Sequence, residues 1–169
     1  MSTEDLRTRL KNVHAFAVTP FDKNDLSQLD LIGLEGNLTF LIEKGVKVIT
    51  LGGGTGEVNA LTVDELVSLA RTGLEVAGDC SLVLPTLPGN LKVALDLAPR
   101  YEKMGARIVL AMAPFVRDQV PEDLDGVFNY YRILSKASGL AIMPYNTQAW
   151  PPDFFVRLSE IDLIVGIKD

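Results

Sequence analysis

The sequence holds one cysteine, Cys80, and one histidine, His14. A lone thiol makes no internal disulfide, which fits a reducing cytoplasm as the expected location. Cys80 stands just before an apolar run, so a packed, inert thiol is expected there rather than a nucleophile. One His and one Cys cannot assemble a His- or Cys-rich metal site. A Ser-His-Asp triad would have to use His14, and nothing in the sequence places a serine with it. Positive charge is also short: 16 Lys and Arg stand against 22 Asp and Glu, for a formal net charge of −6. That balance argues against a nucleic-acid partner, yet leaves open a small anionic substrate held by a local positive site. No apolar run approaches the roughly 18 residues of a membrane span, so no membrane partner is expected. The start, Met1 to Leu6, is acidic and lacks the apolar core of a signal peptide. Low-complexity stretches and linker-like breaks in composition are absent too, so one domain over residues 1–169 is expected.

What is present is a repeat of strand and helix. Glycines at 45, 78, 105 and 139 each follow a helical pattern, and one strand candidate falls in each interval. Strands are expected at Val13 to Val18, Val46 to Leu51, Ser81 to Leu84, Ala106 to Ala111, Leu140 to Tyr145 and Leu163 to Lys168. Helices are expected at Ser2 to Lys11, after a Ser27 cap, after a Thr62–Glu65 capping box, after an Asn90 cap, from Pro121, and at Pro152 to Leu158. Pro99 should kink or divide the helix that contains it. Such alternation implies successive βα units and a parallel α/β sheet. Two architectures fit: an open doubly wound sheet, or part of a (β/α)₈ TIM barrel. A closed barrel takes about 250 residues. On that reading the chain covers about strands 1–6 and stops short by roughly a quarter to two-fifths of the domain.

Three stretches can carry chemistry. Leu163 to Lys168 is a short, β-branched run with a lysine at its C-terminal end. In parallel α/β folds the carboxyl ends of strands hold the site. An amine that loses hydration in an apolar mouth becomes a nucleophile able to form a Schiff base; the plain alternative is a solvated lysine. Gly52-Gly53-Gly54-Thr55-Gly56-Glu57 follows the second strand. Its glycines bring backbone N–H groups close to an anion, and Thr55 adds a hydroxyl. It has neither dinucleotide nor Walker spacing, so a carboxylate or single phosphate is the natural guest, unless the loop is only a tight turn. Tyr145, ending the fifth strand in Pro144-Tyr145-Asn146, can pass a proton or orient a substrate oxygen, or simply pack at the rim. Arg117 could reach an anion, although an exposed rim position suits it as well.

Gly-Gly-Thr-Gly-Glu after the second strand, Tyr-Asn after the fifth and Gly-Ile-Lys-Asp after the sixth resemble, in order and spacing, the dihydrodipicolinate synthase / N-acetylneuraminate lyase family. The resemblance runs over the whole chain. It implies a (β/α)₈ barrel that forms a Schiff base with pyruvate or another 2-keto acid, without metal or organic cofactor. It implies Lys168 as the Schiff-base lysine and Tyr145 as the proton-relaying phenol. Gly54 and Thr55 would bind the keto-acid carboxylate through backbone N–H groups. It further implies a homo-oligomer, dimer or tetramer. Three positions depart from the synthase pattern. Gly54 stands where the family often has a threonine, Val116, beside Phe115, stands where a second tyrosine completes the synthase relay, and Trp150 stands where synthases carry an arginine. Those departures are more similar to the sugar-acid dehydratase branch, such as 5-dehydro-4-deoxyglucarate dehydratase. A lyase or dehydratase acting on 2-keto acids is the expectation; the alternative is a non-catalytic keto-acid-binding member or an inactive fragment.

Overall fold

The computed structural model describes residues 2–114 and 123–169. Five short apolar segments form the strands β1 (His14–Phe16), β2 (Val48–Leu51), β3 (Leu82–Leu87), β4 (Ile108–Met112) and β5 (Ala141–Tyr145). They pair side by side in chain order, and every pair is parallel. Parallel neighbours need a crossover. The helices α2 (Leu31–Glu43), α3 (Val63–Ala77), α4 (Leu91–Lys103) and α5 (Asp125–Leu134) supply it, with α1 (Thr3–Leu10) before β1 and α6 (Pro152–Leu158) after β5. An unbroken order 1-2-3-4-5 never reverses direction, as a doubly wound sheet must. It is the winding of a barrel wall.

The packing agrees. Residues alternate across the sheet, and the two faces have different partners. Ile49, Leu51 and Val83 face outward with Leu34 and Leu38 of α2 and Leu69 of α3. Val109, Ala111 and Ile142 face outward with residues of α4, α5 and α6. Val48, Leu82, Leu84, Ile108, Leu110 and Met143 face inward, where Leu6 of α1 packs against them. Strands covered on both faces read as continuous apolar runs. Each such fully buried leucine or isoleucine stabilises the fold by about 1.5–3 kcal/mol relative to exposure.

Local signals explain the element boundaries. Thr62 and Glu65 form the expected capping box on α3, and Asn90 Oδ1 accepts the Val93 N–H at 3.2 Å. Gly45, Gly78 and Gly105 follow α2, α3 and α4 with positive φ, the conformation glycine adopts without a Cβ penalty. Several expectations are corrected. Asp30, not Ser27, caps α2, accepting the Gly33 N–H at 2.8 Å. Ser27 instead bonds the Asp25 carboxylate. Pro99 does not divide α4, which runs unbroken from Leu91 to Lys103. The third strand continues past Leu84 to Leu87 because Pro85, lacking an N–H, is accommodated where pairing passes from β2 to β4. The helix expected from Pro121 begins at Asp125 and ends at Leu134, and Gly139 lies beyond it, donating its N–H to Glu102. Cys80 is exposed rather than packed, because it precedes β3 by two residues, in the turn after α3. Phe115, Val116, Arg117 and Pro121 lie outside the described residues. Among the described residues, no helix is long and apolar enough to cross a membrane.

The sixth expected strand is present in reduced form. Leu163 to Lys168 runs parallel beside β5, held by two isolated bridges, Ile142 with Ile164 and Tyr145 with Lys168.

Candidate active site

The C-terminal ends of β1, β2, β5 and the sixth segment converge. Tyr145 and Lys168 are register partners, so both side chains leave the sheet on the same face. The Lys168 Nζ stands 4.1 Å from the centroid of the Tyr145 ring and 5.5 Å from that of Phe16. Both residues are half-buried. The amine donates to the backbone oxygen of Asp169 at 3.4 Å. Two aromatic rings beside one amine place it in a half-buried, π-rich corner.

The glycine loop closes the opposite side. A Cβ added to Gly54 would lie 3.8 Å from the Tyr145 ring, so the loop backbone passes directly beside the phenol. The loop is anchored beneath: the Thr19 hydroxyl donates to the Gly56 carbonyl at 2.8 Å. A Cβ on Gly56 would meet the Gly52 nitrogen at 2.9 Å, so only glycine lets the two turns of the loop approach. Gly54 and Thr55 are exposed. Among the described residues, their N–H groups have no backbone acceptor. Adjacent N–H groups without a backbone partner on an exposed turn are available to an anion.

A cavity of about 460 Å³ extends from Lys168 down the inner face toward α1, floored by Leu10, Phe16, Met143 and Val165. Arg7 and Lys11 of the α1 end contribute cations to it, alongside Asp169. Both cations are exposed, Arg7 pairs with Glu4 at 3.8 Å, and neither Tyr145 nor the glycine loop lines this cavity.

The structure therefore brings Gly54, Tyr145 and Lys168 together and leaves Thr55 on the rim of the same loop. Trp150 is turned away from the cavity. It is buried, packed edge-on against Tyr131 and Phe154 at 5.9 and 5.3 Å between ring centroids. Its indole N–H donates to Gln148 Oε1 at 2.8 Å, and Gln148 Nε2 donates to the Pro114 carbonyl at 2.6 Å. The loop after β5 is thus tied to the end of β4. Sequence reasoning missed Phe16, Thr19, Asn146 and Gln148. Phe16 was legible as an inward position of β1; the others act through contacts 23 to 37 residues away in the chain.

Residues 9–169 match the model of the Dihydrodipicolinate synthetase family. A 4-hydroxy-tetrahydrodipicolinate synthase of Acidothermus cellulolyticus is 33% identical over 158 residues, which are 90% of this chain and 50% of that protein. A probable 5-dehydro-4-deoxyglucarate dehydratase of Bacillus subtilis is 28% identical over 166 residues, 97% of this chain and 52% of that one. The crystal structure of dihydrodipicolinate synthase from Oceanobacillus iheyensis superposes with a TM-score of 0.89 at 26% identity, covering 99% of this chain and 55% of that chain. The chain spans about half the length of the relatives it matches, less than the share expected from a 250-residue barrel, because those relatives are longer. With five parallel strands wound in barrel order and a family match over nearly its whole length, the chain belongs to the Dihydrodipicolinate synthetase family.

Proposed function

We propose that the site is that of a lyase acting on 2-keto acids through a Schiff base on Lys168. The observation that carries this reading is the Lys168 amine held 4.1 Å over the Tyr145 ring, with the Gly54 backbone against the same ring. The keto-acid carboxylate is taken by the N–H groups of Gly54 and Thr55. That holds the ketone carbon in reach of the amine and makes the attack effectively intramolecular. The unprotonated amine adds to the ketone, forming the C–N bond. The former carbonyl oxygen leaves as water. The resulting iminium draws electrons from the adjacent carbon, so a C–C bond there can form or break, or a hydroxyl can leave. Tyr145 moves the proton in each direction. The lysine is its own electron sink, so the reading calls on no metal or organic cofactor.

Trp150 narrows the substrate. Its side chain is committed to Gln148 and the aromatic stack, so this position offers no cation to a second carboxylate. A 2-keto acid whose far end carries no carboxylate therefore fits this position better than a reaction that must hold a second carboxylate there. The same reading takes the chain as strands 1–6 of a (β/α)₈ barrel in a cytoplasmic homo-oligomer, dimer or tetramer. Borohydride reduction in the presence of pyruvate tests it. The intact protein should gain one covalent adduct. A folded Lys168→Ala protein that is still labelled to the same extent would sink the proposal.

A further inference from the structure

Lys168 reaches the inner face through a break in the strand that carries it. From the Ile142–Ile164 bridge to the Tyr145–Lys168 bridge, β5 advances three residues and the last segment four. One residue is extra, and the segment bulges. Val165 packs with the inner cluster and Ile167 with the outer one, although regular alternation would put both on one side. Pro144 stands opposite the bulge and has no N–H to continue the ladder.

Beyond the bulge the segment is tied down at one place. The Lys168 N–H donates to the Pro144 carbonyl at 2.9 Å and the Asn146 N–H to the Lys168 carbonyl at 2.8 Å. The Asn146 side chain completes the tie. Its Nδ2 donates to Asp169 Oδ1 at 2.6 Å, while its Oδ1 accepts the N–H groups of Gln148 and Trp150 at 3.2 and 3.0 Å. Three partners of fixed character leave one orientation for the amide. One side chain thus joins the amine-bearing segment to a loop that is itself pinned to the end of β4 by Gln148.

We propose that Asn146 is a positioning residue: its bond to Asp169 locks the bulged segment so that the Lys168 amine stays over the Tyr145 ring. For its kinetic consequence the proposal rests on the Schiff-base reading above. N146D keeps an acceptor for the two loop N–H groups but sets a carboxylate against Asp169. N146D/D169N restores a donor–acceptor pair with the roles reversed. Three quantities are measured on each protein: the pyruvate-dependent borohydride trapping rate, hydrogen exchange at the Lys168 amide, and the melting temperature. N146D should trap roughly tenfold more slowly and exchange faster at Lys168, with the double variant recovering most of both, as a charge-assisted bond lost and regained requires. A merely structural role would lower the melting temperature in step with the trapping rate, and the swap would restore both together; a positioning role changes trapping and Lys168 exchange with the melting temperature held. Asp169→Ala removes the same bond and serves if N146D does not fold. Wild-type trapping and exchange in N146D, or a double variant no better than N146D, would overturn the proposal. If the wild-type protein takes no label, the Schiff-base reading falls by itself. Exchange at Lys168 then decides the lock, and unchanged protection in N146D overturns it.

Discussion

Tyr145 and Lys168 lie opposite each other across a parallel bridge, with the lysine nitrogen 4.1 Å from the centroid of the tyrosine ring. The two residues are 23 apart in the chain. The chemistry proposed for the site follows from that pairing, and so do tests that separate the hydroxyl, the ring and the amine.

Tyr145→Phe keeps the ring under the amine and removes only the hydroxyl. The adduct with pyruvate should still form, but steps that need proton transfer should slow by about 10²-fold, the ordinary worth of a positioned acid or base. Stability should stay within about 0.5 kcal/mol, since the hydroxyl is not part of the core. Single-turnover kinetics with a 2-keto acid substrate, alongside urea unfolding, checks both halves.

The glycine loop makes a contrasting pair. Gly54→Ala adds a methyl at ordinary contact distance from the Tyr145 ring and should fold normally. Gly54→Val, bulkier at the same spot, should raise the pyruvate concentration for half-maximal trapping by about tenfold, a loss of about 1.4 kcal/mol. Gly56→Ala drives its Cβ into backbone at 2.9 Å and should destabilise the protein by about 1–3 kcal/mol. Titrated trapping and thermal melts distinguish the binding defect from the folding defect.

Much of this was legible in the sequence. Glycine stops and apolar periods mark the βα repeat because they answer to local backbone geometry and to burial. The ends of the second, fifth and sixth strands mark the site because parallel sheets put chemistry there. The rest depends on contacts between distant residues. Asp30 displaces Ser27 as a cap because Ser27 is drawn to Asp25. Cys80 precedes an apolar run yet lies in an exposed turn, since burial begins with Ser81. The bulge before Lys168 could be suspected from Gly166 and Pro144, but only the register across β5 reveals it.

Trp150→Arg is the substitution that would create the synthase-like residue. The side chain at 150 is buried in an aromatic stack with the Gln148 Oε1 as its hydrogen-bond acceptor, so the arginine would enter an apolar site with no counter-ion. A loss of about 3–5 kcal/mol is expected, with no gain in affinity for dicarboxylates. Denaturant midpoints and competition of trapping by a dicarboxylic keto acid provide the check.

Stability should fall in alkali. Burial raises the ionisation of Tyr101, Tyr130 and Tyr131 above the usual phenol range, and Tyr130 beside it adds to the effect on Tyr131. Their hydroxyls donate to the carbonyls of Thr86, Pro88 and Ala111. The unfolded chain releases these protons near pH 10 while the folded one retains them. The contribution is therefore whole below about pH 10 and shrinks by up to about 1.4 kcal/mol per pH unit per tyrosine above it. Urea midpoints between pH 8 and 11 should decline, and Tyr131→Phe should flatten the decline.

The most direct test is to locate the adduct. The protein is reduced with borohydride in the presence of pyruvate, digested, and its peptides are weighed. The account predicts one modified peptide, the one containing Lys168, and no modification when Lys168 is replaced by Ala. An adduct on any other lysine, or none on correctly folded protein, would contradict it.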